Sequence, residues 1–176
     1  MQDTYGEFRE QTSDSLLSGL TASCQGCHFP AGSHSLPGPL QQDWMRRRIR
    51  IEFRQETETE TGLAMVVARF RIPRIGHAFP TGDLFRTVRL AAYARGALVG
   101  KTMLHRVVRV MDRKLMADSR LEPRGGSLDQ EVYFTVSSPP DRCTVTYHYQ
   151  GAIEPALTGR LPPEELFFYL YDGPCG

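Results

Sequence analysis

The sequence predicts a mainly β protein, an antiparallel immunoglobulin-like β-sandwich with a short helical segment at its N-terminus. Three observations predict it. Apolar and polar residues alternate with period two in several stretches beyond residue 44, the signature of strands with one buried face. Clusters of Gly, Pro, Asp and Ser separate those stretches, and helical periodicity is sparse after residue 40; together these favour packed antiparallel sheets. A chain of 176 residues with 40% hydrophobic side chains is long enough to close one core.

The elements follow in order. Residues 1–28 are polar and then mildly amphipathic, with Leu16, Leu17 and Leu20 at near-helical spacing ahead of Ser23 and Cys24, so a short helix is expected there. Phe29–Pro39 is loop, because Phe29-Pro30-Ala31-Gly32 and Leu36-Pro37-Gly38-Pro39 break regular structure. From Trp44 the period changes to two. Arg48-Ile49-Arg50-Ile51-Glu52-Phe53 alternates strictly, and Ala64, Val66, Ala68, Phe70 and Ile72 share one face of a second strand whose other face carries Arg69 and Arg71. The acidic-threonine run Glu56–Thr61 between them fits a solvated hairpin connection. The pattern returns at Val88, Leu90 and Ala92, at Val132, Phe134 and Val136, at Val145, Tyr147 and Tyr149, and at Leu166–Tyr171. Arg106–Met111 adds a further strand, giving about seven. The chain thus divides into an N-terminal segment, 1–43, and a sandwich domain, 44–176, packed as one unit.

Charge excludes some partners. Lys and Arg total 21 against 20 Asp and Glu, a net charge of +1, so no whole-chain basic field recruits nucleic acid or an anionic membrane. No apolar stretch approaches the roughly 20 residues that span a bilayer.

The chemistry resides in Cys24-Gln25-Gly26-Cys27-His28. Two thiols three positions apart reach the two vinyl groups of one porphyrin, and the next histidine falls beneath the iron. The motif predicts one haem c, bound covalently through Cys24 and Cys27, with His28 as proximal ligand. A redox dithiol is disfavoured because no buried strand precedes the motif. A zinc site would need His34 as a fourth ligand beside Cys24, Cys27 and His28.

The second axial ligand decides between electron transfer and ligand chemistry. His148 shares strand parity with Thr144 and Thr146, which places it at the surface; His105 lies beside a basic strand. His77 is set differently. Ile75-Gly76-His77-Ala78-Phe79-Pro80-Thr81-Gly82-Asp83 is a Gly- and Pro-bounded loop directly after a strand, able to hold an imidazole rigidly at the sandwich edge. The same loop also suits a turn histidine bonded to a backbone carbonyl. His34 is six residues beyond His28, and the chain would have to round the porphyrin edge within that short loop to reach the opposite face.

The chain resembles the C-terminal portion of multihaem cytochromes c in which the last haem motif is followed by a β-sandwich. Cys24-Gln-Gly-Cys-His28-Phe-Pro, Ser33-His34-Ser-Leu-Pro-Gly38, Gly76-His77-Ala-Phe-Pro-Thr-Gly82-Asp and Asp118-Ser-Arg120-Leu-Glu-Pro123 carry the likeness. The resemblance implies haem ligation by such histidines, which favours His77 as distal ligand with His34 as the alternative. The chain departs from that family in having a single haem motif.

Attachment of haem c takes place outside the cytoplasm, so a periplasmic or extracellular location is expected, with a signal sequence upstream of Met1 in the precursor. In such an oxidising compartment Cys143 and Cys175 most simply pair, adding roughly 3 to 4 kcal/mol in the loop-entropy picture. Three functions follow from these residues. The first is an electron carrier with iron held by His28 and His77, working with a redox partner protein or a neighbouring cytochrome haem. The second is a five-coordinate haem protein that handles peroxide or a nitrogen oxide, with Arg74 or Arg86 beside the iron. The third is a docking or assembly subunit, capable of self-association. The basic runs Arg46–Arg48 and Arg106–Arg109 fit solvated strand edges, a docking patch or partners for haem propionates.

Overall fold

A computed structural model of the chain describes residues 42–58, 62–80, 86–109, 111, 114–149 and 167–176. Among these residues a short helix α1 (Gln42–Arg48) leads into nine strands: β1 (Arg50–Thr57), β2 (Ala64–Ile72), β3 (Arg86–Ala94), β4 (Ala97–Leu104), β5 (Arg106–Arg109), β6 (Lys114–Asp118), β7 (Leu128–Thr135), β8 (Arg142–Tyr149) and β9 (Phe167–Gly173). They form a three-stranded sheet β1-β2-β7, a four-stranded sheet β4-β3-β8-β9, and a two-stranded hairpin β5-β6. Every ladder is antiparallel. The mainly β sandwich expected from the sequence is therefore the observed architecture.

Alternation explains the core. Val66, Ala68, Phe70 and Ile72 of β2 pack with Val88, Leu90 and Ala92 of β3 and Cys143, Val145 and Tyr147 of β8 in one buried cluster. The inner faces of both large sheets supply it, as period-two patterning on facing sheets requires. Phe70 meets Phe79, with ring centroids 6.1 Å apart, and Tyr147 stacks on Phe168 at 5.2 Å. The outer face of β1-β2-β7 is an ionic lattice. Arg54 donates to Glu131 at 2.6 and 2.9 Å and to Glu56 at 2.6 Å, and Arg69 donates to Asp129 at 2.6 and 2.7 Å.

Strand directions define two ends. Thr57, Ala64 and Thr135 lie together at one end of the three-stranded sheet, while Arg50, Ile72 and Leu128 lie at the other. The β4 start joins the first group, since Ser137 N donates to Val99 O at 2.9 Å. The second end collects α1, the loop after β2, the β5–β6 hairpin that continues from Leu104, and the segment 119–127. A nine-residue strand such as β2 separates the two ends by roughly 25–30 Å.

Three features differ from the sequence reading. Trp44–Arg48 is helical rather than extended: Asp43 in the first turn and Arg46, Arg47 and Arg48 in the last complement the helix dipole. Met45 is buried, Arg48 lies 5.0 Å over the Trp44 ring, and Arg46 Nε donates to Tyr169 O at 2.7 Å on β9. Alternation begins at Arg50. Strands β4 and β6 were also not among the expected ones. In β4 Gly100 interrupts the side-chain pattern and Leu98 and Met103 are exposed, and all five residues of β6 face solvent. Finally, Thr144 and Thr146 are buried rather than superficial, because β8 is central and Arg89 and Tyr169 flank Thr146 on neighbouring strands.

Candidate functional site

Cys24, Cys27, His28 and His34 lie outside the described residues, so the site is described from the sandwich side. His77 sits in the loop after β2, on the end of the sandwich where α1 enters. Two backbone ties fix that loop. Ile75 N donates to Gly126 O at 2.9 Å, and Phe79 and Leu121 exchange hydrogen bonds of 2.8 Å in an isolated antiparallel bridge. Ile75, Gly76, Ala78, Phe79 and Pro80 are all buried, and the Phe79-Pro80 peptide is cis. The loop is therefore anchored by its apolar residues, with His77 half-buried between them. Its Nδ1 lies 3.2 Å from Ala78 O. With the proton on Nδ1, that contact is a donated hydrogen bond, and the ring carries its lone pair on Nε2.

Beside this loop the bridge from Phe79 to Leu121 brings in an arginine-carboxylate cluster. Arg120 donates to Asp118 from Nη2 at 2.7 Å and from Nε at 2.9 Å, and its backbone N donates at 3.1 Å. Arg106 approaches the same carboxylate at 3.8 Å. Side-chain exposure is only 5% for Arg120 and 15% for Arg106, so both guanidiniums sit largely out of water. Burial pushes the Asp118 carboxyl up, but the hydrogen bonds from Arg120 and the charge of Arg106 outweigh it and leave it below the usual carboxylate range. Sequence reasoning named Arg106 within a basic run but missed its convergence with Arg120. The signal was the strand alternation that puts Arg106 opposite Asp118.

The remaining histidines are accounted for. His148 is half-buried, with Nε2 2.9 Å from Thr146 Oγ1 and its ring edge-on to Phe167 at 4.9 Å. Burial, with a smaller contribution from Arg89, lowers its pKa. His105 lies 3.4 Å by Nδ1 from Ser119 Oγ, and its backbone N donates to the same hydroxyl at 3.0 Å. Arg74 is exposed with φ 58 in the turn after β2, and Arg86 opens β3. Among the described residues no three His, Cys, Asp or Glu side chains converge as a metal site, and no helix is long and apolar enough to cross a membrane.

At the opposite end, Cys143 and Cys175 form a disulfide with Cα atoms 5.0 Å apart, as the sequence led us to expect. It ties the C-terminal strand to β8.

The fold is shared with a multihaem cytochrome c. The solved structure of a penta-haem cytochrome c552 from Thermochromatium tepidum superposes with a TM-score of 0.63 at 21% sequence identity. The match covers 96% of this chain and 49% of that one, so the chain spans about half the length of its neighbour. At this identity the likeness establishes the fold alone. No family model and no curated protein sequence matches the chain.

Proposed function

We propose that the chain is a c-type cytochrome that carries electrons outside the cytoplasm, with one haem c linked to Cys24 and Cys27 and its iron held between His28 and His77. The observation that carries this reading is the Cys24-Gln25-Gly26-Cys27-His28 motif, set on a chain whose fold is shared with a multihaem cytochrome. A haem bound there supplies a one-electron ferric/ferrous couple. The protein's part is to hold the imidazoles and keep the iron's coordination closed, so no substrate bond is made or broken.

His77 fits the distal role chemically. A ligating histidine commonly donates its other ring N–H to a carbonyl, which fixes the tautomer and raises the basicity of the coordinating nitrogen. The His77 contact with Ala78 O and the buried residues on both sides meet that requirement. A purely structural turn histidine makes the same hydrogen bond, and the His77 variant below distinguishes the two roles. Arg106 and Arg120 at the same end suit the propionates of such a group, and the redox partner is a protein or a neighbouring cytochrome haem.

The test is the optical spectrum of the purified protein, oxidised and reduced, with alkaline pyridine haemochrome to count haems and thioether links. One c-type haem, a low-spin spectrum and no response to carbon monoxide are expected. His77→Ala should convert it to a carbon-monoxide-binding form, and His34→Ala should leave it unchanged. The reverse assignment in these two variants would make His34 the distal ligand. A wild-type protein that binds carbon monoxide would favour a ligand-binding haem. Absence of haem would refute the proposal and return zinc to consideration.

A further inference from the structure

Arginine crowds the corner where α1 enters the sandwich. Arg46, Arg47 and Arg48 occupy the last turn of α1, and Arg50 follows at the start of β1. Arg50 is the cross-strand partner of Arg71, and three residues beyond Arg71 the chain turns at Arg74, which takes a φ of 58. Glycine adopts that backbone without strain, yet here an exposed arginine occupies it. Ile75 N donates to Gly126 O, which sets this turn beside the tight turn 124–127, where Arg124 is exposed as well. Six arginines from one helix, one strand and two turns thus share the end that carries His77.

Their charge is not neutralised within the described residues. Arg46 donates to Tyr169 O, Arg47 donates to Asp43 O, and Arg48 lies over the Trp44 ring; two carbonyls and an aromatic face carry no formal charge. Arg50, Arg74 and Arg124 have no side-chain partner among the described residues. Nearby carboxylates are committed to other arginines, Glu52 to Arg71 and Asp129 to Arg69 and Arg71. Asp43 and Glu122 are exposed beside the six arginines without an ion pair, which leaves this corner strongly positive on a chain whose net charge is only +1. The large apolar side chains exposed elsewhere, such as Leu98, Met116 and Tyr133, do not belong to these segments.

We propose that this corner docks an acidic redox partner, an electron-carrier protein that meets the arginines with a cluster of Asp and Glu carboxylates. The planar fork of each guanidinium suits carboxylate oxygens two at a time. A charged patch without an apolar centre fits the small, wet, short-lived contacts of electron carriers, in which charge speeds the encounter more than it tightens the complex. Asp43 and Glu122 stand among the cations and would repel a uniformly anionic surface, so the arrangement favours a protein whose own charges are patterned. The partner would arrive at the end of the sandwich that holds the His77 loop. The inference rests on the electron-carrier reading and adds to it the chemistry of the partner and the place where it binds.

Stopped-flow reduction of the purified holo-protein by flavodoxin, an acidic one-electron carrier, tests it. The anionic flavin hydroquinone gives one electron to the ferric haem, leaving a neutral semiquinone and ferrous haem. The second-order rate constant should fall by about tenfold or more between roughly 10 and 500 mM salt. Arg47→Glu with Arg50→Glu and Arg124→Glu should lower the low-salt rate by about tenfold or more and flatten its salt dependence. Arg95→Glu with Lys101→Glu, on the β3–β4 hairpin away from this corner, should leave both nearly unchanged. Reduction by the cationic methyl viologen radical should not slow in either variant, which shows haem and fold to be intact. A salt-independent reaction of the parent, which needs no variant, would overturn the proposal, as would equal losses in the two variants. Sedimentation of the parent with phosphatidylglycerol vesicles, without a salt-dependent reaction with flavodoxin, would also overturn it and identify a lipid surface as the target. A haem-free protein would overturn the electron-carrier reading itself, a result distinct from a haem protein whose reaction ignores salt.

Discussion

Replacing Cys143 and Cys175 together by alanine removes the one covalent tie between the ends of a long C-terminal excursion. The two residues are separated by 32 positions, and a cross-link closing a loop of that size restricts the unfolded chain by about 4 kcal/mol at 25 °C. In the folded state the bridge lies in the core: Cys143 is 0% and Cys175 1% exposed. The same strand is also held by its ladder to β8, by Arg46 Nε donating to Tyr169 O, by the Arg142–Asp172 pair and by the Tyr147–Phe168 stack, so the bridge acts mainly through the unfolded chain. Beyond the β8–β9 ladder, the C-terminus is held by Tyr171 Oη donating to Pro174 O at 2.6 Å and by Gly176 lying against Phe53 O. For a chain of this size about 4 kcal/mol corresponds to roughly 8–16 °C in Tm. Thermal unfolding of Cys143→Ala/Cys175→Ala beside the parent protein measures the difference. Alkylation of the denatured, unreduced parent should label neither cysteine. A Tm loss below about 2 °C, or two labelled thiols in the parent, would refute the reasoning.

Gly100→Ala should destabilise by about 1–3 kcal/mol in urea titrations, since an added Cβ would come within 2.5 Å of Thr135 O and 2.7 Å of Val136 Cγ1; an unchanged midpoint would mean the β4–β7 approach is not tight in solution. Acid should destabilise the fold through arginine-bound carboxylates. Arg54 and Tyr133 hold Glu131 down at about 2, and Arg69 holds Asp129 below its ordinary range; both remain more acidic than in the unfolded chain, so their contribution is present above pH ~4 and lost as pH falls through the folded values. Urea midpoints that stay flat between pH ~5 and ~2 would contradict this. His148 should titrate by NMR below the ordinary histidine value because burial disfavours its charged form. Stability linked to it is then present above pH ~6.5 and declines as the pH drops through its lower folded pKa, and Phe167→Ala, which uncovers the ring, should move the midpoint upward.

Strands with a strict inner face were legible in the sequence: β2, β3, β7, β8 and β9 fall where Val66, Leu90, Phe134, Val145 and Phe168 announce them. Elements whose form comes from tertiary contacts were not. Arg46, Arg47 and Arg48 continue an apparent alternation into β1, but Met45 finds a buried position and Arg46 reaches the β9 backbone, which together favour a short helix over extension. β6 has no buried face at all, so no periodicity could mark it. The candidate site was half legible. The Gly-His-Ala-Phe-Pro loop stood out by its breakers, whereas the pairing of that loop with Leu121, which carries Arg120 and Asp118 alongside, depends on a bridge between residues 42 positions apart.

The separation of labour between the two ends follows from that bridge. The segments that carry chemical signals in the described part of the sequence, the His77 loop, the Asp118–Pro123 stretch and the basic run from Arg106, are distant along the chain but are gathered at the end where α1 enters the sandwich. The far end carries the disulfide and the Gly100 contact, which are features of closure rather than of ligation. A rigid sandwich between them keeps a roughly 25–30 Å spacing. Variation at the far end should therefore change stability while leaving the spectrum of a bound haem unaltered, and variation at the His77 end should change that spectrum. Gly100→Ala and His77→Ala, each followed by both thermal unfolding and optical spectroscopy, separate these effects: a spectral change in the first would mean that the sandwich transmits strain between its ends.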